Sequence, residues 1–400
     1  MRSAYLDYAA SSPVDPRVRE AVLFVMDSLG NPSSVHAQGR AMREAVDTAR
    51  ESVANLLAVE PRRVFFTSGA TEANNLALIG YFKRLRETVS AEKPLKLLVS
   101  VIEHSSIREV TKRLQADLGV TVEKIPVDAD GVVRTDRLRE MLSDDVAMVC
   151  VMWANNIIGS LQPMEESATI IREEREKRGV NGLSLVLMSD AVQALRTEQV
   201  RPSDTGVDLL SLSGHKMYGP KGVGALYVRE GVELAPLLMG GGQEAGLRGG
   251  TENVPGIVAL GRAADILRKE REKDRAHVGK LHARLVAGLR ESDGVTVFGD
   301  SARSVPGIIY FMSSEETGDV LTLKLDSAGI AVSSGSACDS GTSKTSFVLQ
   351  EIYSGPAAKQ GGVRVSFGRF STDEDIRCLI EALIAIHGAG GGMRDAGGTR

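Results

Sequence analysis

Two lysines lie close together in the segment 208–228, DLLSLSGHKMYGPKGVGALYV, and either could act as a nucleophile. A lysine forms a Schiff base with a carbonyl compound when a pocket removes water from its amino group and lowers its pKa. Lys216 follows an apolar segment, and Ser213 and His215 beside it could bind a phosphate. Lys221 lies in a glycine-rich turn, where an exposed position or a structural contact is expected. The pattern favours Lys216, although spacing alone leaves both lysines open.

Polar residues also follow several earlier apolar segments, at the point where each segment is predicted to end a strand. In open parallel α/β sheets, ligands bind beyond the carboxyl ends of the strands. The sequence therefore predicts one common site for these residues. They are Ala70, Thr71, His104, Asn156, Asp190 and Gln193.

Each of these groups has a structural alternative. Ala70 and Thr71 lie between a predicted strand and a predicted helix, where free N–H groups can bind a phosphate; Thr71 could instead only cap the helix. Asp190 could hold a protonated ring nitrogen of a heterocycle, or it could be a helix cap. His104 could be a hydrogen-bonded structural residue. These alternatives stay open at the level of single residues.

The second half of the chain adds an arginine and a cysteine. Arg364, in GVRVSFG, suits a substrate carboxylate, with an ion pair at the rim as the alternative. Cys338 lies in SSGSACDSGTS (333–343), a segment of small polar residues that is expected to be mobile. A free thiol there favours a reactive role, whereas Cys150 and Cys378 have apolar neighbours typical of core residues.

The elements that must position these residues are predicted from the alternation of apolar runs and helical stretches over about the first 230 residues. This alternation indicates a mostly parallel sheet covered by helices on both faces. A smaller α+β unit follows. Between them, 251–292 is predicted as a long helix interrupted early by Pro255, with the domain boundary inside it.

Composition excludes several classes of function. The formal net charge of -4 argues against binding of nucleic acid through phosphate contacts. No apolar run is long enough for a membrane span, and the N-terminus has no secretory pattern. Three cysteines without a CxxC pair favour a reducing, cytoplasmic location. The six histidines show no HxxxH or HExxH spacing, so no catalytic metal is expected.

A series of motifs, in order along the chain, is typical of one enzyme family. They are YLDYAASSPVDPRV, GNPSSVHAQGR, FTSGATEANNLAL, EHSSI, DLLSLSGHKMYGPKGVGALYV, GGGQEAGLRGGTENV, SSGSAC and VRVSFGRFSTDEDI. Over residues 4–387 the chain resembles the cysteine desulfurases, pyridoxal-phosphate enzymes of the class V aminotransferase group. The SSGSAC form is similar to the subgroup with a longer cysteine loop.

The resemblance implies an α/β fold of fold type I, as in other pyridoxal-phosphate-dependent transferases. It places a large cofactor-binding domain at 14–255. A small domain at 1–13 and 256–387 carries a mobile cysteine loop (333–346), and 388–400 is expected to be a flexible tail.

The resemblance also implies pyridoxal 5'-phosphate as the cofactor, held covalently by Lys216. Its ring would be bound by Asp190 at the pyridinium nitrogen, by Gln193 at the ring hydroxyl and by His104, which would stack on the ring and assist proton transfer. The residues implied at its phosphate are Ala70, Thr71, Ser213, His215 and, from a second subunit, Thr251.

The implied reaction converts L-cysteine to L-alanine and leaves the sulfur as a persulfide on Cys338. Arg364 and Asn156 would bind the substrate carboxylate, with Asn156 also near the ring. Thr251 acts across the interface in this family, so a homodimer is implied. The sulfur acceptors would be proteins such as an iron–sulfur scaffold or a tRNA-thiolation enzyme.

The chain departs from the family pattern at a few positions, including Ile157, where a glutamate is common, Asp339, and the segment 351–362. None of these departures removes a catalytic group. Two alternatives remain: a selenocysteine lyase or C–S lyase that releases sulfide or selenide directly, and an inert homologue that only organises an assembly complex.

Overall fold

The computed structural model describes residues 3–292, 294–335, 346–353 and 360–390. In that part of the chain, strands and helices alternate as the sequence predicts. The strands are β1 (Ala4–Tyr5), β2 (Val64–Thr67), β3 (Leu95–Ser100), β4 (Val120–Ile125), β5 (Val146–Cys150), β6 (Val186–Asp190), β7 (Leu209–Ser213), β8 (Gly224–Val228), β9 (Val295–Phe298), β10 (Ile308–Ser313), β11 (Ile330–Ala331), β12 (Ser333–Ser334) and β13 (Val363–Ser366).

The helices cover the sheets and supply most of the connections. They are α1 (Pro16–Met26), α2 (Ala37–Leu57), α3 (Ala70–Thr88), α4 (Ser105–Leu118), α5 (Thr135–Met141), α6 (Met164–Arg178), α7 (Pro202–Thr205), α8 (Val254–Arg290), α9 (Gly318–Ser327), α10 (Phe347–Ile352) and α11 (Asp373–Gly390). None of these helices has an apolar stretch long enough to cross a membrane.

The large sheet has seven strands in the order β2-β8-β7-β6-β5-β3-β4. Strand β8 is antiparallel to both of its neighbours, and the remaining pairs are parallel. Strands β2, β7, β6, β5 and β3 therefore all run in one direction, and their carboxyl ends meet at one edge. The mostly parallel α/β sheet predicted from the sequence is confirmed.

Alternating apolar side chains build a core on each face of this sheet. In β7, Leu210 and Leu212 contribute to the core that also contains α2 and the first part of α8, whereas Leu209 contributes to the core on α3 and α4. Strands buried on both faces explain the continuous apolar runs in the sequence.

A second, four-stranded sheet has the order β12-β13-β10-β9, and all of its pairs are antiparallel. It packs with α9, α11 and the last part of α8 around a separate core. The N-terminal strand β1 pairs with β11 beside this core, so the start of the chain lies with the later elements.

Helix α8 is continuous, and the predicted interruption at Pro255 is wrong. Pro255 lies in the first turn, where a proline costs no helical hydrogen bond, and Asn253 caps the helix by accepting from the Gly256 N–H at 3.2 Å. The first part of α8 packs against the large-sheet core and the last part against the small-sheet core. The domain boundary at 255/256 stays a prediction.

Candidate active site at the carboxyl edge of the large sheet

One cavity lies at the edge where the parallel strands end. It brings together ten of the residues that the sequence and the resemblance indicate. They are Ala70, Thr71, His104, Asn156, Asp190, Gln193, Ser213, His215, Lys216 and Arg364. Thr251 does not line this cavity, and Cys338 lies outside the described residues.

Lys216 lies in the turn directly after β7, and its amino group points to the N-terminal segment. Its Nζ donates to the carbonyl oxygen of Ala10 at 2.6 Å and also to that of Ala9. These two carbonyls hold the amino group at the cavity wall. Lys221 lines the same cavity but is exposed, so both lysines reach the site and only Lys216 is fixed by such contacts in the described structure.

The start of α3 forms one end of the cavity. Its N-cap residue is Gly69, which has no side chain, so the first N–H groups of the helix lack a capping side chain and Thr71 does not serve as the cap. Gly224 of β8 allows this turn to approach closely, since a Cβ there would lie 2.7 Å from the Cα of Gly69. With Ser213 and His215 beside it, this end suits an anionic group.

His215 is neutral at this end of the cavity. Burial lowers its pKa to about 4, and the nearby charges of Lys216 and Lys221 act in the same direction. A neutral imidazole still has one N–H to donate to an anion.

Asp190 ends β6 and faces the middle of the cavity. One carboxylate oxygen accepts from the Val192 N–H at 3.0 Å, and the other accepts from Asn74 Nδ2 at 3.0 Å. A turn rather than a helix follows Asp190, so the alternative of a helix cap does not apply. Gln193, in the same turn, donates from Nε2 to the Ala9 carbonyl at 3.0 Å.

His104 is both a cavity residue and the N-cap of α4. Its Nδ1 accepts from the Ser106 backbone N–H at 3.1 Å. Burial is the largest cause that lowers its pKa. The positive charges of Lys216, Arg108 and Arg364 lower it further, whereas the negative charge of Asp190 raises it. The structural and functional alternatives for this histidine therefore do not exclude each other.

Arg364, on β13, reaches the cavity from the smaller sheet and is buried. It donates to an Asp7 carboxylate oxygen at 2.9 Å and to the Asn156 carbonyl at 3.0 Å. The sequence offered a carboxylate-binding residue or an ion pair as alternatives. The structure contains the ion pair and also places the guanidinium in the cavity wall.

Sequence reasoning missed the N-terminal segment and the residues behind the cavity. Ala9 and Ala10 act only through backbone carbonyls, which leave no mark on residue type. Asp7 lies in a motif that the resemblance includes, but no role was assigned to it. Asn74 lies inside a helix, and its hydrogen-bond partner Asp190 is 116 residues away in the sequence.

Several buried polar atoms of the cavity residues have no partner within the described structure. They are Asn156 Oδ1, Gln193 Oε1, His215 Nδ1 and Arg364 Nε. Buried polar groups are almost always hydrogen-bonded in proteins, so these atoms suit a polar ligand. An anion end, a carboxylate, an amide and a lysine in one cavity fit the phosphate, ring and aldehyde of pyridoxal phosphate.

The fold matches known pyridoxal-phosphate enzymes of fold type I. A solved structure described as a NifS-like protein superposes with a TM-score of 0.88 at 32% sequence identity, covering 97% of this chain and 100% of that one. The structure described as SspA in complex with cysteine has a TM-score of 0.77 at 31% identity and covers 92% of this chain and 100% of that one. The predicted fold class is confirmed.

The sequence comparisons define the family. The model of the aminotransferase class-V family matches residues 4–379, so the chain belongs to this family. Cysteine desulfurase IscS 1 of Archaeoglobus fulgidus is 41% identical over 383 residues, which cover 96% of each chain. The mitochondrial cysteine desulfurase of Saccharomyces cerevisiae is 36% identical over 386 residues, covering 96% of this chain and 74% of the yeast protein. The resemblance to cysteine desulfurases is confirmed.

Proposed function

We propose that the protein is a pyridoxal-phosphate-dependent cysteine desulfurase that converts L-cysteine to L-alanine and receives the sulfur on Cys338. The observation that carries this proposal is the single cavity that contains Lys216, Asp190 and Arg364. An amine, a carboxylate and a guanidinium are the groups needed to hold the cofactor and an amino-acid substrate. The full-length similarity to cysteine desulfurases supports the choice of substrate.

The cofactor would be held mainly by residues at the ends of three strands, β2, β6 and β7. Lys216 would bind its aldehyde carbon, Asp190 its ring nitrogen and Gln193 its ring hydroxyl. The N–H groups at the start of α3 would meet its phosphate without first giving up a capping side chain. The proposed phosphate ligands are Ala70, Thr71, Ser213, His215 and Thr251 of a second subunit.

When bound, the cofactor supplies an electron-withdrawing ring that stabilises negative charge at the substrate Cα. Asp190 would keep the ring nitrogen protonated and so strengthen that effect. The Lys216 amino group, which lies in the same cavity, would act as the base at Cα. His104 would move protons on the substrate side of the ring.

Arg364 and Asn156 would orient the substrate. Arg364 keeps one buried guanidinium group, Nε, without a partner in the described structure, so a substrate carboxylate can add to the Asp7 pair. The Cys338 thiolate then attacks the substrate sulfur. The substrate C–S bond breaks, an S–S bond forms on Cys338, and protons from the site complete alanine.

The sulfur would pass from Cys338 to an acceptor protein, such as an iron–sulfur scaffold or a tRNA-thiolation enzyme, in the cytoplasm. The active unit would be a homodimer. Thr251 is exposed and lies outside its own chain's cavity, so a role at a phosphate requires a second copy. Leu238 and Met239, in the preceding segment, are 46% and 85% exposed, which suits a covered interface.

The test is a single turnover of sulfur-labelled L-cysteine with the Cys338→Ser variant. The variant should bind cofactor and substrate, because one atom changes in a segment of small polar residues. It should form alanine at least about a hundredfold more slowly than the unmodified protein, since its sulfur nucleophile is missing. Label should remain on the unmodified protein and be absent from the variant.

Cys378→Ser is the matched control. Cys378 is half-buried on α11 and does not line the cavity, and burial raises the pKa of its thiol. This variant should keep both alanine formation and the label. Alanine formation at the normal rate by Cys338→Ser would instead show that the sulfur leaves the substrate without passing through Cys338, and would contradict the proposal.

A further inference from the structure

We propose that Asn74 and Ser106 are positioning residues, which fix His104 in the tautomer with its proton on Nε2 and connect it to Asp190. These two residues are outside the set that the sequence indicates. The role of His104 in proton transfer rests on the proposed function, but the hydrogen bonds themselves do not depend on that function.

Four side chains from three parts of the fold form one continuous chain of hydrogen bonds. Asn74, on α3, is completely buried, and its Nδ2 lies 3.0 Å from Asp190 Oδ2 and 2.9 Å from Ser106 Oγ. Ser106, in the first turn of α4, places Oγ 2.8 Å from His104 Nδ1. Asp190 ends β6. The chain therefore runs from Asp190 through Asn74 and Ser106 to His104.

The chemistry of Asp190 and Asn74 fixes the direction of the first two bonds. An ionised carboxylate only accepts, so the Asn74 atom facing Asp190 must be the NH₂ group. The second N–H of that group donates to Ser106 Oγ. The Ser106 hydroxyl proton is then available for His104 Nδ1, and a bond donated in this direction requires that Nδ1 carry no proton.

The backbone supports the same assignment. The Ser106 N–H, which can only donate, lies 3.1 Å from the same Nδ1. Two donors thus converge on one ring nitrogen, and both of these hydrogen bonds favour the tautomer without a proton on Nδ1. A neutral His104 has its proton on Nε2, the nitrogen left for exchange with a ligand in the cavity.

The surrounding charges keep the ring neutral. Burial and the positive charges of Lys216, Arg108 and Arg364 lower the pKa of His104, and only Asp190 raises it. These groups approach from β6, from the turn after β7, from α4 and from β13. Because the ring is neutral, its tautomer decides which nitrogen can give a proton.

The experiment is a nitrogen NMR titration of histidine-labelled protein, with and without bound cofactor. The His104 signals are assigned by their loss in His104→Gln. In the unmodified protein Nδ1 should show the shift of an unprotonated nitrogen and Nε2 that of a protonated one. Ser106→Ala removes one donor to Nδ1, so the pKa of His104 should rise by about half a unit to one unit.

Three further variants make the test specific. Ser106→Thr keeps the hydroxyl and should restore the original pKa, and Ser105→Ala, one residue away, should leave it unchanged. Asn74→Ala should also raise the pKa of His104. Since the two residues act in one chain, the double variant should raise it no more than the larger single change.

An unchanged His104 pKa in Ser106→Ala, a protonated Nδ1, or additive effects in the double variant would each overturn the proposal. Should Asn74→Ala not fold, the Ser106→Ala and Ser106→Thr pair decides alone. The readout is the histidine ring itself and not turnover. Failure of this proposal is therefore distinguishable from failure of the proposed desulfurase activity, which would leave the titration intact.

Discussion

At the scale of single residues, Arg364 is a buried charge that an ion pair holds in the wall of the proposed site. Its side chain is 4% exposed and forms an ion pair with Asp7, and a buried pair of this kind avoids the cost of an isolated charge. The pair leaves Arg364 Nε without a partner in the described structure. The arginine can therefore stay buried and oriented before a carboxylate arrives.

The sequence could identify Arg364 but not its partner. Asp7 and Arg364 are 357 residues apart, and a long-range pair leaves no local pattern. The same limit applies to Asn74, which lies within a helical segment and pairs with a distant residue, and to the carbonyls of Ala9 and Ala10. Residues at strand ends were predictable because the parallel sheet brings those ends to one edge.

At the scale of elements, a buried charged cluster joins α8, the segment before α1 and the turn after β13. Arg369 donates to Asp15 at 2.8 Å and to Asp274 at 3.1 Å, and its guanidinium lies 4.6 Å from the centre of the Tyr218 ring. Tyr218, two residues after Lys216, has a left-handed backbone with φ of 62°. The cluster therefore holds a strained turn beside Lys216, the lysine proposed to bind the cofactor.

Arg369→Ala should lower the free energy of unfolding by about 3–5 kcal/mol, because it leaves the buried Asp274 carboxylate without its partner and leaves Asp15 with Arg17 alone. Denaturant unfolding measures this loss. Arg377→Ala is the control, since Arg377 is 49% exposed and pairs with Glu374 and Glu381 at the surface. That change should cost less than about 1 kcal/mol. Equal losses in both variants would contradict the assignment of the cluster.

Most elements were predictable because their apolar runs are buried on both faces of a sheet. The direction of β8 was not, since an apolar run carries no information about whether its neighbour is parallel. Pro255 was misjudged because its effect depends on position: within a helix it breaks a hydrogen bond, and in the first turn it does not. Short edge strands such as β1 and β11 are too brief to give a pattern.

At the scale of the whole molecule, the proposed site is incomplete in one chain. Thr251 is exposed and outside the cavity, although the family resemblance assigns it to a cofactor phosphate. In the proposed homodimer, a second copy supplies this threonine. Thr251 follows an exposed segment that includes Met239, so no core residue has to move for Thr251 to contact a second copy.

Subunit complementation tests this arrangement. Lys216→Ala and Thr251→Asp should each be nearly inactive alone, the first without its nucleophile and the second with a charge that repels phosphate. A mixed dimer has one site with both original residues. Random mixing should therefore recover about a quarter of the normal activity. No recovery in dimers verified by light scattering would place Thr251 outside the partner's site.

Lys216, held by two carbonyls at the edge of the large sheet, is proposed as the lysine that binds pyridoxal phosphate. The most direct measurement is borohydride reduction of the yellow protein, followed by mass spectrometry of its peptides. Lys221 lines the same cavity, which makes it a stringent internal control. The cofactor should be found on Lys216, and Lys221→Ala should keep the colour that Lys216→Ala loses. Cofactor attached to Lys221, with Lys216 unmodified, would contradict the account.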